Sequence, residues 1–188
     1  MRIVGGAWRG RRLATPAGEA TRPTADRARQ AIFDVLLHAP FAGRAAVLDA
    51  HVLDGFAGTG AMGLEALSRG AASAVFMEQA RAAVATLRSN IAACRAEGRT
   101  QVLTVDVLAP PRADRPATLV FLDPPYRHGL VPRALAALGA AGWIAPGALV
   151  VAEVGAEDGL PDMAGYACCD ERRYGAAHVL FLRAEGGG

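Results

Sequence analysis

The chain has 188 residues, a formal charge of +2, 52% hydrophobic and 20% charged residues, which fits one domain able to bury a real core and excludes a disordered or fibrous chain. No apolar run approaches the roughly 18 residues of a membrane span, and the basic start leads into no apolar signal segment, so neither membrane insertion nor export is expected. The three cysteines (Cys94 and the adjacent Cys168 and Cys169) make no disulfide framework and fit a reducing cytoplasm, while His38, His51, His128 and His178 are too scattered for a metal site.

All 20 basic residues are arginine, which coding bias explains, so their distribution says more than their number. Residues 1–44 hold eight arginines against Glu19, Asp26 and Asp34, although the whole chain carries only +2. A basic arm on a mildly acidic body suits a polyanionic partner. The first 20 residues read as strand or loop with a short hairpin. Pro23-Thr24 then opens a helix, with Thr24 as its cap and Asp26 at its positive end, and Ile32, Val35 and Leu36 give it an apolar stripe until Pro40.

From Val47 the pattern changes to short apolar runs alternating with helical stretches. Strands are expected at His51–Asp54, Ala74–Glu78, Val102–Val105, Leu119–Asp123 and Ala148–Glu153. Helices are expected near Gly60–Arg69, Ala80–Glu97 and Leu130–Ala141, and an antiparallel pair at Tyr166–Arg172 and Ala177–Arg183. This is an α/β, Rossmann-like sheet, mostly parallel and covered on both faces, with a basic N-terminal extension (1–44) before the main domain (45–188). Ligands of such sheets bind at the carboxyl ends of the strands. Asp54, Glu78, Asp123 and Glu153 end four of the five strands, and Asp106 follows the other.

Gly58, Gly60 and Gly63 form a G-x-G-x-x-G loop, which by itself admits a nicotinamide oxidoreductase. Asp54, however, closes the preceding strand and aims a carboxylate into the loop. It would repel a pyrophosphate and suit an ammonium-bearing ligand such as S-adenosylmethionine. Glu78 is placed to accept ribose hydroxyls, and Asp106 an adenine amine. Val47-Leu48-Asp49 is a near copy of Val52-Leu53-Asp54; Asp54 is preferred because the loop follows it.

Leu119–Leu122 run into Asp123-Pro124-Pro125-Tyr126. Two prolines fix φ and remove two N–H donors, so the turn holds its carbonyls outward. The Asp123 carboxylate and the Pro124 carbonyl can accept both hydrogens of an exocyclic amine and aim its lone pair at a methyl group, with Tyr126 stacking on a base turned out of its helix. The same turn suits guanine N2, adenine N6 of DNA or a protein glutamine amide. A non-catalytic RNA-binding domain would leave the rim of acids unexplained.

The F-A-G-T-G loop (Phe56 to Gly60) followed by D-P-P-Y resembles class I methyltransferases acting on exocyclic amines. Arg2-Ile3-Val4-Gly5-Gly6, Trp8-Arg9-Gly10-Arg11, Arg22-Pro23-Thr24-Ala25-Asp26-Arg27-Ala28-Arg29, Gly63 to Ala71, and Arg173-Tyr174-Gly175 narrow the likeness to the bacterial family that makes N2-methylguanine in 16S ribosomal RNA. The likeness runs nearly end to end. It implies that Asp54, Phe56, Ala57, Gly58, Gly60, Glu78 and Asp106 hold S-adenosylmethionine and that Asp123, Pro124, Pro125 and Tyr126 hold the guanine amine. Arg9, Arg11, Arg12, Arg22, Arg27 and Arg29 would face RNA, with the Arg22–Arg29 segment also covering the cofactor. The implied protein is a cytoplasmic monomer acting on 16S ribosomal RNA, either free or within a small-subunit assembly particle. Two residues depart from the family pattern. Gln30 replaces an acid, so an ion pair is expected to be lost, and Gly55 is expected to loosen the loop.

Overall fold

The computed structural model describes residues 1–15, 23–125, 129–155, 163–175 and 177–186. Its strands are β1 (His51–Gly55), β2 (Ser73–Met77), β3 (Thr100–Leu103), β4 (Ala117–Leu122), β5 (Ile144–Val154), β6 (Tyr166–Tyr174) and β7 (Ala177–Ala184). The helices are α1 (Pro23–His38), α2 (Ala61–Ser68), α3 (Arg81–Cys94) and α4 (Leu130–Ala140). The strands form one sheet in the order β3-β2-β1-β4-β5-β7-β6, parallel except for β7, which runs antiparallel to both β5 and β6.

Each core strand is a continuous apolar run because both faces are covered. Val52, Phe76, Leu119, Phe121 and Val151 pack beneath α1, α2 and α3. Their alternates, Leu53, Met77, Val120, Leu122 and Val150, pack beneath α4. The N-terminal segment belongs to the first of these cores, since Ile3 and Leu13 are buried there with Ile32, Phe33 and Leu36 of α1. A single bridge between Arg2 and Arg12 closes the expected hairpin around a short turn of helix at Gly6–Trp8.

Local chemistry moves several element ends from their expected places. Gly60 is left-handed (φ 77°), so α2 begins one residue later, at Ala61. The Glu78 carboxylate accepts the Ala80 N–H, which delays α3 to Arg81, and a left-handed Arg95 stops it at Cys94. Asp49 lies in a turn before β1, with φ 58°, so the strand and its loop follow the Val52-Leu53-Asp54 copy. A Cβ on Gly55 would stand 2.8 Å from Leu122 Cδ2, so that methyl fills the space a side chain would take, and Gly55 itself pairs with both neighbouring strands. The expected cap, Thr24, has its side chain outside the described residues.

Candidate active site

The strand order reverses between β1 and β4, and a crevice opens there at the carboxyl ends of the strands. Asp54 is the fourth residue of β1 and Asp123 directly follows β4, so the two acids singled out in the sequence flank that crevice. A cleft of about 310 Å³ is walled by Asp54, Phe56, Ala57, Gly58, Asp123 and Glu153. Met1 and the α1 residues Ala25, Ala28, Arg29 and Ile32 also line it. These helix positions recur at the spacing of one face, so α1 lays a single stripe over the cleft. A second cavity of about 300 Å³ shares Phe56, Ala83 and Asp123 with the first, and is bounded by Glu78, Val105, Val107 and Pro125.

The three glycines of the loop do different work. Gly58 is left-handed (φ 53°), and a Cβ there would meet nothing nearer than the Phe56 carbonyl at 4.0 Å, so it leaves a ligand room to approach the backbone. Gly60 and Gly63 are packing glycines: added Cβ atoms would fall 2.3 Å from Leu87 Cδ1 and 2.4 Å from Phe76 Cε1. Phe56 holds a left-handed φ of 58°, a conformation that costs a bulky side chain about 1–3 kcal/mol. The Ala57 N–H donates to the Met77 carbonyl at 3.0 Å and the Gly58 N–H to Glu78 Oε2 at 2.9 Å, which pin the turn. Asn90, buried on α3, donates to the carbonyls of Thr59 and Ala14 and accepts the Ala14 N–H, tying loop to N-terminal segment.

The acids differ in environment. Asp54 is buried, and its Oδ2 accepts the Gly63 N–H at 2.8 Å at the start of α2. Burial pushes its carboxyl up to about 8; the Gly63 hydrogen bond opposes this, and the charges of Asp123 and Glu78 add to it. Asp123 keeps an accessible face at the cleft while protein crowds the rest of it. Removal from water, then the neighbouring Glu153 carboxylate, push it up to about 7. Among the described residues neither carboxylate forms an ion pair with a cation, and a positively charged ligand would relieve both. Glu78 sits at the second cavity with each oxygen accepting one backbone N–H, so it meets a ligand through its remaining lone pairs. Asp106 is exposed and accepts the Leu108 N–H at 2.9 Å; its neighbours Val105 and Val107, not its carboxylate, line the cavity. Pro124 is buried and Pro125 exposed, while Tyr126 lies outside the described residues.

The arginines assigned together to RNA separate into three groups. Arg9, Arg12 and Arg27 are exposed. Arg11 instead donates to the carbonyl of Ala93 and so caps the carboxyl end of α3. Arg29 does not belong to the RNA-facing set either, because its side chain is 4% exposed. It donates to Asp26 Oδ1 at 2.7 Å and to the Arg2 carbonyl, with its Nε 3.4 Å from Glu65 Oε2. Arg22 lies outside the described residues.

That ion pair leads to a hub not anticipated from the sequence. Glu65 of α2 is completely buried and accepts the N–H groups of Val4 and Gly5, each at 2.8 Å, and Arg69 Nε at 2.7 Å. Ser68 adds bonds to Trp8 and Gly5, so α2 clasps the N-terminal segment. Arg69 also donates to Gln30 Oε1 at 3.0 Å and lies over the Phe33 ring. In place of an ion pair at position 30, Gln30 therefore accepts a hydrogen bond from the charged Arg69 guanidinium on its neutral amide oxygen. The visible signal was a Glu inside a helix that is apolar on all sides apart from Ser68, four residues before the Arg that follows its end, a position where an acid must be paired.

A mostly parallel sheet with an antiparallel final pair, carrying a Gly loop after β1 and Asp-Pro-Pro after β4 at one cleft, defines a class I methyltransferase. Among solved structures, the Escherichia coli protein yhhF, described as a candidate methyltransferase, superposes with a TM-score of 0.85 at 38% identity, covering 100% of this chain and 99% of that one. The family model described as Conserved hypothetical protein 95 matches residues 1–183, and the chain belongs to that family. Ribosomal RNA small subunit methyltransferase D of Escherichia coli K12 is 42% identical over 162 residues, 86% of this chain and 78% of the relative. The Haemophilus influenzae protein of the same name is 35% identical, over 81% and 78%.

Proposed function

We propose that this methyltransferase moves a methyl group from S-adenosylmethionine to the N2 amine of a guanine in 16S ribosomal RNA. The observation that carries the reading is the Asp123 carboxylate, fixed by the rigid Pro124-Pro125 turn, opening onto the same cleft as Asp54 and the Gly loop. The names of the relatives supply the small-subunit RNA.

The cleft suits S-adenosylmethionine. It is lined by acids at one end, has an open backbone at Gly58, and continues into a cavity with the apolar walls Val105 and Val107. Asp54 would face the ammonium group and Glu78 the ribose hydroxyls. Arg29, held at the cleft wall by Asp26 and Glu65, would face the methionyl carboxylate. The bound group supplies an electrophilic methyl on a sulfonium.

The protein's own contribution is alignment and acceptance. A guanine amine is a poor nucleophile because its lone pair is delocalised into the ring. Asp123 and the Pro124 carbonyl accept its two hydrogens, favour a pyramidal nitrogen, and hold the lone pair toward the methyl. As the new N–C bond forms, the amine sheds a proton, which the Asp123 carboxylate is placed to receive. Arg9, Arg12 and Arg27 offer phosphate contacts for RNA, whether free or in an assembling subunit.

Calorimetry with S-adenosylhomocysteine and with NAD tests the cofactor, and mass mapping of methylated nucleotides in 16S RNA from cells lacking the gene tests the substrate. The expected results are binding of the former alone and one missing N2-methylguanine. Binding of NAD with silence toward S-adenosylhomocysteine, or an unchanged RNA map, would overturn the proposal.

A further inference from the structure

Resting on the ribosomal RNA reading above, we propose that the outer face of α3 is a further RNA contact, a basic rail that holds the phosphodiester backbone between the cofactor crevice and the N-terminal hairpin. Residues 81–99 hold Arg81, Arg88, Arg95 and Arg99 against Glu97 alone. The rest of residues 45–188 holds eight arginines against fourteen acids, so this basic stretch stands on an acidic body. Coding bias explains arginine in place of lysine, but not the exclusion of acids from one helix face.

The face is regular. Arg81, Arg88 and Arg95 recur every seven residues, which is about two helical turns, and the third directly follows Cys94 at the helix end. All four arginines are exposed, and every exposed residue of α3 is Arg, Ala or Ser. Among the described residues Arg81, Arg88 and Arg95 form no ion pair. Ala85 lies four residues from Arg81 and three from Arg88, and Ala92 lies likewise between Arg88 and Arg95. An acid at either position would pair with both arginines and stabilise the helix. Alanine there leaves the guanidinium groups to solvent and lets a phosphate strand approach closely.

Both ends of the rail meet parts of the enzyme already described. Ala83, in the first turn of α3, borders both cavities of the crevice. At the other end Arg11 donates to the Ala93 carbonyl, and the Arg99 guanidinium lies 5.2 Å over the Trp8 ring. These contacts set the hairpin, with its exposed Arg9 and Arg12, at the carboxyl end of the helix. The 14 residues of α3 span about 21 Å, long enough to meet one RNA strand at several phosphates.

The test measures binding to free 16S RNA at several salt concentrations, and turnover on the RNA or the small-subunit particle, whichever form the wild-type enzyme methylates. Replacing Arg81, Arg88 and Arg95 together by glutamine should lower the salt slope by about 2–3, at roughly 0.7–0.9 per phosphate contact. KM for the RNA should rise at least about tenfold with kcat held, while melting temperature and S-adenosylhomocysteine affinity stay near wild type. Replacing Arg112, Arg115 and Arg133, which are exposed elsewhere on the domain, removes the same charge and should leave slope and KM alone. An equal fall in both variants would mean diffuse attraction and overturn the inference. So would an unchanged slope in the α3 variant, even with a raised KM on the particle, which would assign the face to an acidic protein. A wild-type enzyme that binds 16S RNA without salt dependence, or not at all, would overturn the RNA reading itself. A slope that falls on replacing Arg9 and Arg12 but not the α3 arginines would overturn this inference alone.

Discussion

Replacing Glu65 by alanine should undock the N-terminal segment and, through it, the roof of the cleft. The side chain is completely buried, accepts three hydrogen bonds (the N–H groups of Val4 and Gly5, and Arg69 at 2.7 Å) and forms an ion pair with Arg29 at 3.4 Å. Removing one partner of a buried ion pair costs about 3–5 kcal/mol, because the other charge is left without compensation. Arg29 retains Asp26 and the Arg2 carbonyl, and Arg69 retains Gln30, which holds the loss within that range and not above it. For a domain of this length each kcal/mol is worth about 2–4 °C, so the melting temperature should fall by roughly 6–20 °C. Thermal melts read this directly. Amide exchange should localise it: Ile3, Gly10 and Leu13, which donate to Arg11, Ile3 and Met1, should lose protection ahead of β1 and β4. Affinity for S-adenosylhomocysteine should fall with them, since Met1, Ala25 and Ala28 line the cleft. A variant melting within 2 °C of wild type (a change of at most about 1 kcal/mol) with these amides still protected would refute the hub.

Asp123→Asn should abolish transfer while leaving S-adenosylhomocysteine binding nearly intact. Because the ionised carboxylate is the acceptor and its carboxyl sits at about 7, wild-type kcat/KM should be lost as pH falls through that value; a flat profile would contradict the role. Substituting Arg9, Arg12 and Arg27 by glutamine should reduce the salt slope of RNA binding by about 0.7–0.9 per lost phosphate contact, measured by titration at several salt concentrations. Arg11→Gln should leave that slope alone and lower the melting temperature, because its guanidinium is committed to the end of α3. Asp54→Asn should keep the Gly63 hydrogen bond through its amide oxygen. The folded carboxyl titrates at about 8 against an ordinary value of 3.8, so wild-type stability should decline as pH rises between those values, and more steeply than that of the variant, which keeps only the contribution of Asp123. Denaturant unfolding across that range checks the sign: a wild type growing more stable with pH relative to D54N would refute it.

The sheet was legible because strands buried on both faces are apolar nearly throughout, and the acids because they were the only charged residues in those runs. Asp54, Glu78 and Asp123 could be placed at one end of the sheet from alternation alone. The use made of each could not. Glu78 spends part of its capacity on Gly58 and Ala80, and Asp106 turns back to Leu108, both decided by the path of a few backbone atoms after each strand. The clasp on the N-terminal segment was hidden for another reason. Glu65 reaches Val4 across 61 positions and Asn90 reaches Ala14 across 76, and no local pattern encodes such a pairing. Only the oddity of a polar residue on an apolar helical stripe hinted at it, as Asn90 does between Leu87 and Ile91.

The arginines show why charge counts mislead at this level. A surplus of basic residues in one segment says that something nearby is acidic, and here part of the answer is internal: Glu65 and Asp26 hold Arg29, and a helix end holds Arg11. Docking and RNA attraction use the same residue type within the same stretch of chain. Deleting residues 1–15 would therefore remove the clasp, a wall of the cofactor cleft and part of the phosphate-facing charge at once, and loss of activity in such a truncation could be assigned to none of them. Single substitutions separate the three. Arg9 and Arg12 touch only the charge, Glu65 the clasp and through it the roof of the cleft, and Arg29 sits where clasp and cleft meet. A salt slope that responds to the first pair and not to Glu65, together with a melting temperature that does the reverse, would establish that the two functions of the arm are physically distinct.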